Sequence, residues 1–255
     1  SVMAMLKVEN LSIKYGSIEA VKNVSFEVNE GEVVTLIGAN GAGKTSILRT
    51  ISGLVRPTEG TISYLGNDIH KTPARKIVAE GLAQVPEGRH VFAGLTVMEN
   101  LEMGAFLHTN KEENAALLKK VFQRFPRLEE RKNQDAATLS GGEQQMLAMG
   151  RALMSRPKLL LLDEHTAALD PKTAENVLQL TDKLVAEHNL TTLMITHNMR
   201  DALRFGNRLI MMDAGRIIYD VKGDEKKQLT VADLLQKFEV AGENALSDRM
   251  VLGAK

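Results

Sequence analysis

The pattern of hydrophobic and polar residues along the chain predicts a protein built from both strands and helices. Residues 6–15 and 24–28 alternate apolar and polar positions, which is typical of antiparallel strands with one buried face. Residues 32–37 and 158–162 are largely apolar instead, as expected for parallel strands that are covered on both faces. The chain therefore combines an antiparallel part with a parallel part.

Further elements follow from the turn and capping residues that bound them. From Thr96 to about Lys132 the apolar spacing is helical, and Thr96 with Glu99 has the form of a capping box. Additional strands are predicted at residues 60–65, 82–85, 191–196, 208–213 and 216–220. The last two flank Ala214-Gly215, which indicates a hairpin.

Helix starts are predicted from residues whose side-chain oxygens can accept from free backbone N–H groups. The predicted N-caps are Thr72, Thr96, Asp170 and Thr230. Pro73 and Pro171 then stand at the first helical position, where a missing N–H does no harm. We expect the helix after Asp170 to end near His188 and the last helix to end at Phe238, before a polar tail.

Composition narrows the classes of protein to which the chain can belong. The chain has 255 residues, and its 32 basic and 32 acidic residues cancel, so a basic footprint for nucleic acid is absent. This weakens the nucleic-acid-binding class without excluding it, and no nucleic-acid partner is expected. It has no cysteine, which excludes disulfides and cysteine-based metal sites. No apolar run approaches the length of a membrane span, so we expect any membrane role to be peripheral.

The most informative motif is the sequence Gly-Ala-Asn-Gly-Ala-Gly-Lys-Thr at residues 38–45, between a predicted strand and a predicted helix. This context is that of a phosphate-binding loop, in which glycines let backbone N–H groups converge on phosphate oxygens. Lys44 is expected to reach the β- and γ-phosphates, and the Thr45 hydroxyl to ligate Mg²⁺. The predicted nucleotide-binding residues of this loop are Gly38, Asn40, Gly41, Ala42, Gly43, Lys44, Thr45 and Ser46.

A second element places two carboxylates at the end of a buried strand. Residues 159–162 are four leucines, and Asp163 and Glu164 follow them directly. The carboxyl end of a parallel strand is where ligands of such sheets bind. We therefore expect Asp163 to hold Mg²⁺ and Glu164 to act as the general base for an attacking water.

The sequence Ser-Gly-Gly-Glu-Gln-Gln at residues 140–145 has two interpretations. In the first, Ser140 caps a helix with Glu143 as its partner. In the second, the Ser140 hydroxyl and the bare backbone of Gly141 and Gly142 at a helix start form a second anion site. If both anion sites cannot reach one nucleotide within a single chain, two chains must pair head to tail, with two equivalent composite sites.

Together these motifs resemble the ATP-binding-cassette (ABC) ATPases over nearly the whole chain, and residues 140–145, including Gln144, match the signature motif of that family. The resemblance implies that Tyr15 stacks on adenine, and that Gln84 contacts Mg²⁺ and water in the Q-loop. It also implies that Asp170 belongs to the D-loop at a dimer interface, and that His197 is the switch histidine that bonds the γ-phosphate.

The same resemblance predicts the fold class: an α/β P-loop NTPase of ABC-ATPase type. A mixed central sheet is flanked by helices, with an antiparallel β subdomain and an inserted helical subdomain. The expected ATPase domain covers residues 5–242, with the helical lobe at about 88–150 and a tail at 243–255.

Two parts of the chain resemble different groups within the family. Residues 7–164 are similar to the ATPase subunit of branched-chain amino-acid importers. From His165 onward, the sequence His-Thr-Ala-Ala-Leu-Asp and the Thr-His-Asn-Met stretch around His197 are similar to another group of importer ATPases. We therefore predict a recombined chain joined near residues 163–165, the alternative being a natural intermediate subfamily.

The predicted function is ATP binding and hydrolysis by a head-to-tail dimer that drives solute import through membrane permease subunits, in an importer similar to those for branched-chain amino acids. The expected ligands are ATP and Mg²⁺. The partner chain is a second copy or a related ATPase subunit, and the expected location is cytoplasmic, at the inner face of the cell membrane. The alternatives are a recombined nucleotide-binding protein without a physiological partner, and an ABC ATPase acting on DNA or ribosomes.

Overall fold

The computed structural model of the protein describes residues 3–88 and 90–252, and from residue 245 onward only the backbone. The described residues form two compact units. The first contains the residues up to Lys71 and those from Met194 onward, and the second is Thr72–Leu193.

Ten strands are described: β1 (Ala4–Tyr15), β2 (Ile18–Asn29), β3 (Val33–Gly38), β4 (Glu59–Tyr64), β5 (Asn67–Asp68), β6 (Leu82–Val85), β7 (Leu159–Asp163), β8 (Thr191–Ile195), β9 (Arg208–Asp213) and β10 (Arg216–Lys222). Ten α-helices are described: α1 (Lys44–Ile51), α2 (Ala74–Ala79), α3 (Val97–Gly104), α4 (Lys111–Arg124), α5 (Pro126–Glu130), α6 (Gly141–Met154), α7 (Pro171–His188), α8 (Met199–Arg204), α9 (Gly223–Lys227) and α10 (Val231–Leu252).

The first unit holds the predicted antiparallel sheet, in the strand order β2, β1, β4, β5. The apolar side chains of β1 and β2, such as Leu6, Val8 and Val28, are buried, which is why these strands read as alternating in the sequence. The pairing shifts between Val8 and Leu11, where Asn10 takes a left-handed φ of 50°. Such an irregularity disrupts the ladder locally and increases the twist of the strand.

The phosphate-loop strand β3 also lies in the first unit, parallel to β9, while β9 and β10 form the predicted antiparallel hairpin. From Val34 to its end at Gly38, every residue of β3 is buried. Apolar residues of β3, α8, β9, β10 and α10 form one cluster, which consists of Ile37, Ala202, Leu209, Met211, Val221 and Leu234. This packing fixes the strand from which the loop departs.

The second unit contains the helices α2–α7 and the parallel pair β6 and β7. The four leucines of β7 are fully buried. In α3 a Cβ on Gly104 would collide with the carbonyl oxygen of Arg151, so glycine permits the close contact between α3 and α6. The Thr96–Glu99 capping box is present, and each side chain bonds the backbone of the other residue.

Two helix boundaries differ from the prediction. Thr72 does not cap α2: Pro73 is the N-cap residue, with an extended ψ of 143° and no side-chain cap, so the helix begins one residue later. The last helix does not end at Phe238 but continues to Leu252, because the following residues are mostly good helix formers without proline. Most of the predicted tail at 243–255 is therefore helical.

The predicted helical stretch from 96 to 132 consists of three separate helices, α3, α4 and α5. Within residues 3–88 and 90–252, none of the helices has both the length and the apolar character that a bilayer crossing requires.

Candidate functional site

The phosphate loop has the backbone that its sequence predicts. Gly41 and Gly43 take left-handed φ values of 81° and 99°, which β-carbons would oppose. A Cβ on Gly43 would lie 2.5 Å from the carbonyl oxygen of Ala20, and one on Gly38 would lie 2.6 Å from that of Met212. The loop therefore needs glycine both for its turns and for its close contacts.

Helix α1 begins at Lys44, and its N-cap residue is Gly43, which has no side chain that could cap the helix. Such a helix start favours a bound anion, because its N–H groups point along the positive end of the helix dipole. The Lys44 side chain is buried, and its Nζ donates a hydrogen bond to the Gly38 carbonyl, so the ammonium group folds back over the loop. Thr45 is exposed on the first turn.

The structure brings Tyr15 to this loop. Tyr15 ends β1 and is 43% exposed, and its hydroxyl lies 3.2 Å from the Ser46 hydroxyl at the start of α1. The hydroxyl end of the side chain thus contacts the start of α1, while the residue remains substantially exposed to solvent. An exposed aromatic ring can stack on a base of any identity.

His197 also lies in the first unit, directly after β8. The backbone N–H of Thr196 bonds the Leu36 carbonyl of β3 at 3.2 Å, which fixes where the chain leaves the strand. Asn198 then caps α8, and its side chain accepts from the N–H groups of Arg200 and Asp201. His197 is exposed between these two fixed points.

In the second unit, Asp163 and Glu164 stand at the end of β7 as predicted. Asp163 is buried, whereas Glu164 is half-buried and has a left-handed φ of 47°. A non-glycine residue in this conformation stores strain of about 1–3 kcal/mol, which is common at functional sites. Gln84 lies on β6 and pairs with Leu161 of β7. Asp163, the last residue of β7, lies two positions after Leu161.

The start of α6 shows the first interpretation of residues 140–145. Ser140 is the N-cap: its hydroxyl accepts from the Glu143 N–H at 3.3 Å and lies 2.8 Å from the Glu143 carboxylate. The Gln144 amide lies inside the unit and donates to the carbonyls of Ala136 and Ala137. Ser140 itself is exposed, so capping does not remove it from the surface.

Gly142 and Asp170 both adjoin Thr173 in the first turn of α7. A Cβ on Gly142 would collide with Cγ2 of Thr173, so the glycine allows α7 to approach α6 closely. Asp170 is the N-cap of α7 and accepts from the Thr173 N–H at 3.1 Å. The hydrogen bonds from Thr173 hold the pKa of the Asp170 carboxyl below its usual value.

Sequence reasoning missed the role of His165, which it noted only as a departure from a related subfamily. The side chain is 2% exposed, and its Nε2 lies 3.0 Å from the Thr181 hydroxyl on α7. Burial lowers the pKa of His165 to about 4. The apolar run of β7 offered no sign of this contact, because the partner lies in another element.

Arg151 of α6 was also missed. Its guanidinium group lies 4.6 Å from the ring centre of Phe92 and donates to the Asn100 side chain at 3.3 Å and to the His90 carbonyl. Burial lowers its pKa. These contacts connect the segment that follows β6 to helix α6.

The predicted magnesium ligands fit the chemistry of that ion. In the described part of the chain, no group of three or more His, Cys, Asp or Glu side chains could hold a metal by itself. Magnesium in nucleotide sites instead takes one or two protein oxygens together with phosphate oxygens and water. The hydroxyl of Thr45, the amide oxygen of Gln84 and the carboxylate of Asp163 are hard oxygen donors of this type.

Comparisons with known proteins agree with this geometry. Residues 21–167 match the family described as ABC transporter. The chain is 46% identical, over 214 residues, to the high-affinity branched-chain amino acid transport ATP-binding protein BraG of Pseudomonas aeruginosa, covering 84% of this chain and 91% of that protein. It is 40% identical to a tyrosine transport ATP-binding protein of Clostridioides difficile, covering 93% and 100%.

Solved structures show the same fold. An ATP-binding cassette of an ABC transporter in its ADP conformation superposes with a TM-score of 0.80 at 26% identity, covering 92% of this chain and 98% of that one. A dimeric cassette bound to ADP and Pi gives 0.76 at 31% identity, covering 86% and 98%. The α/β cassette fold with a mixed and an antiparallel sheet is thereby confirmed, and the chain belongs to the ABC transporter family as one of its ATP-binding, ATP-hydrolysing subunits.

Proposed function

We propose that this chain binds and hydrolyses ATP to energise the import of an amino-acid-like solute through membrane permease subunits. The observation that carries the nucleotide part is the phosphate loop, in which two left-handed glycines, Gly41 and Gly43, lead into the start of α1. The import part is supported by the relatives, whose names describe transport of branched-chain amino acids and of tyrosine.

In this proposal the loop residues Gly38–Ser46 hold the phosphates through backbone N–H groups, and Lys44 neutralises charge on the β- and γ-phosphates. Magnesium, when bound, neutralises developing phosphate charge and orients the phosphate oxygens. Thr45, Gln84 and Asp163 are the residues that would hold it. Tyr15 stacks on the adenine, since its exposed ring adjoins the loop.

Glu164 is the proposed general base. Glu164 directly follows the buried Asp163 at the end of β7. Glu164 is itself half-buried, which restricts the positions that its carboxylate can take. Positioned beside the attacking water, it orients the water and accepts its proton. His197 donates to the γ-phosphate, and Gln84 also contacts the water.

We also propose a head-to-tail dimer in which Ser140, Gly141, Gly142 and Gln144 of one chain complete the nucleotide site of the other, with Asp170 at the interface. Support comes from the exposed Ser140 hydroxyl at the start of α6 and from the dimeric form of a related cassette. The partner is a second copy or a related ATPase subunit. Two composite sites related by a two-fold axis then close together.

The proposed permease surface lies on the second unit. Four apolar side chains of this unit are 46–78% exposed: Phe92, Met103, Phe106 and Leu107. Three of them, Met103, Phe106 and Leu107, lie within one stretch of five residues, and grouped exposed apolar side chains are typical of protein interaction sites. We propose that the permease subunits cover them, with the chain at the cytoplasmic face of the membrane. In this proposal helices α3–α6 are the inserted lobe, at about 88–150, of one ATPase domain covering residues 5–242.

We further propose that the chain is recombined, with a junction at residues 163–165. The motifs before Glu164 are similar to those of branched-chain amino-acid importers, and the motifs from His165 onward are similar to those of another group. A junction at the end of β7 leaves the strand register intact. A continuous native gene that encodes the whole sequence would contradict this proposal.

Light scattering on the Glu164→Gln variant tests the function. This variant is expected to be a monomer alone and a dimer with ATP and Mg²⁺, because it retains binding but cannot hydrolyse. A variant that binds ATP and stays monomeric would contradict the composite site and favour a nucleotide-binding protein without a transport partner. Stimulation of the parent ATPase by DNA would favour the DNA-acting alternative instead.

A further inference from the structure

The backbone of Glu164 is held in a strained conformation by its two neighbours. Its φ of 47° is left-handed, and such a residue persists only where the surroundings fix it. Asp163 before it and His165 after it are 3% and 2% exposed. The half-buried Glu164 therefore lies between two residues whose side chains are buried.

The His165 side chain is anchored on α7. Its Nε2 lies 3.0 Å from Oγ1 of Thr181, and the Thr181 hydroxyl lies 2.8 Å from the Val177 carbonyl, one turn earlier in the helix. The carbonyl can only accept, so it takes the hydroxyl proton. The His165 Nε2–H must then be the donor to Thr181 Oγ1, which fixes the direction of the whole chain of hydrogen bonds.

The surroundings of this polar pair are apolar. Thr181 is 1% exposed and shares a small space with Phe125, Met146, Met149, Val177, Leu180 and Leu184. A hydrogen bond in such a space is directional and has no water to replace it. An apolar residue could fill the same volume, but it would not fix the rotation of the residue at position 165.

Both ends of the segment after β7 are held by the same helix. Asp170 caps α7, and His165 bonds Thr181 further along it. Between these points the Ala167 N–H bonds the Glu164 carbonyl at 3.0 Å. Helix α7 thus serves as a rigid frame for the segment that begins at Glu164.

We infer that the His165–Thr181 hydrogen bond is a positioning device that fixes the backbone of Glu164 and so directs its carboxylate at the attacking water. The inference rests on the proposed role of Glu164 as the general base. His165 and Thr181 touch neither nucleotide nor water in this scheme, and they act only through Glu164. Their loss should therefore lower kcat and leave the KM for ATP unchanged, because the phosphate loop is untouched.

The test is steady-state ATP hydrolysis by the full chain with Mg²⁺, normalised to the stoichiometry of ATP binding. Thr181→Val keeps the shape and removes the hydroxyl, and kcat should fall about tenfold or more, as expected when a catalytic group is misplaced. Thr181→Ser keeps the hydroxyl and should retain kcat near that of the parent. In both variants the KM for ATP should stay within about twofold of the parent value, because the residues that bind ATP are unchanged and only the hydrolysis step is affected.

Thr192→Val is the matched control. Thr192 is also fully buried in the second unit, and its hydroxyl bonds the local Leu190 carbonyl at 3.0 Å. This variant removes a buried hydroxyl without touching the segment after β7, so kcat should not change. An equal fall of kcat in Thr192→Val and Thr181→Val would overturn the inference.

A second pair of variants covers the case in which Thr181→Val fails to fold. His165→Gln carries an amide N–H that can bond Thr181, whereas His165→Leu cannot, so the Gln variant should have the higher kcat. Equal rates would overturn the inference. If Glu164→Gln hydrolyses ATP as fast as the parent, Glu164 is not the general base, and the inference fails together with the proposed function. Hydrolysis that depends on Glu164 but is unchanged in Thr181→Val would overturn the positioning role alone.

Discussion

Replacing Gly142 by alanine tests why the first turn of α6 contains a glycine. The residue is buried, and a Cβ there would collide with Cγ2 of Thr173 at the start of α7. Packing of α7 is therefore sufficient to require glycine, whether or not a phosphate also approaches the backbone. The double variant Gly142→Ala with Thr173→Ser separates these two reasons, because serine lacks the methyl group that collides.

The expected energies follow from the contact. Alanine in place of a helical glycine stabilises by about 0.5–1 kcal/mol. Overpacking against Thr173 costs about 1–3 kcal/mol, so Gly142→Ala alone should lose about 1 kcal/mol of unfolding free energy. Thr173→Ser alone removes one half-buried methyl group and should lose about 0.5 kcal/mol. The double variant should be about as stable as the parent, which gives a coupling energy of about 1–3 kcal/mol.

Urea unfolding, followed by circular dichroism, gives the free energy of all four proteins. Gly242→Ala is the control for helix propensity: this glycine lies in α10, and a Cβ there would meet nothing within 4 Å, so the variant should gain stability. A double variant no more stable than Gly142→Ala would refute the packing argument. If stability is restored but ATP-dependent dimerisation is not, Gly142 is required by the nucleotide as well.

Three further predictions concern the proposed site and the first unit. Glu164→Gln should bind ATP with parental affinity and show no turnover in a steady-state phosphate-release assay, and sustained release would contradict its role as the base. Tyr15→Ala should weaken ATP binding by about 1–3 kcal/mol in calorimetric titration, while Tyr15→Phe should retain affinity although it loses the 3.2 Å bond to Ser46. Lys226 is buried, and burial lowers its pKa from 10.5 to about 8. Between these pH values the unfolded chain binds more protons than the folded chain, so the parent should become more stable as the pH rises through this window. Lys226→Met should remove that rise in urea titrations, and an unchanged slope would refute the assignment.

Elements bounded by local chemistry could be predicted closely from the sequence. The strand β6 has the predicted bounds of 82–85, and α7 runs from Pro171 to His188 as expected. In both cases the information lies within a few residues, either in a short apolar run or in the Asp170-Pro171 cap. The phosphate loop was predictable for the same reason, since its strand, glycines and helix are contiguous.

Contacts between distant residues could not be predicted. His165 and Thr181 are 16 positions apart on different elements, and neither residue type indicates the other. The Lys226 ammonium group donates to three carbonyls, those of Leu203, Phe205 and Gly206, at the end of α8. In the sequence this lysine reads as one more solvated charge, and only the fold reveals its burial.

The start of α6 shows why the two interpretations of Ser140 are compatible but not independent. The hydroxyl proton of Ser140 points to the Glu143 carboxylate at 2.8 Å, and Arg131 pairs with that carboxylate at 2.9 Å. For Ser140 to donate to a phosphate, this proton must turn away from Glu143. The ion pair with Arg131 lowers the cost of that rotation, because Glu143 keeps a charged partner. In the proposed dimer, the same residues that stabilise the helix start in one chain would therefore set how readily that chain binds the nucleotide of its partner.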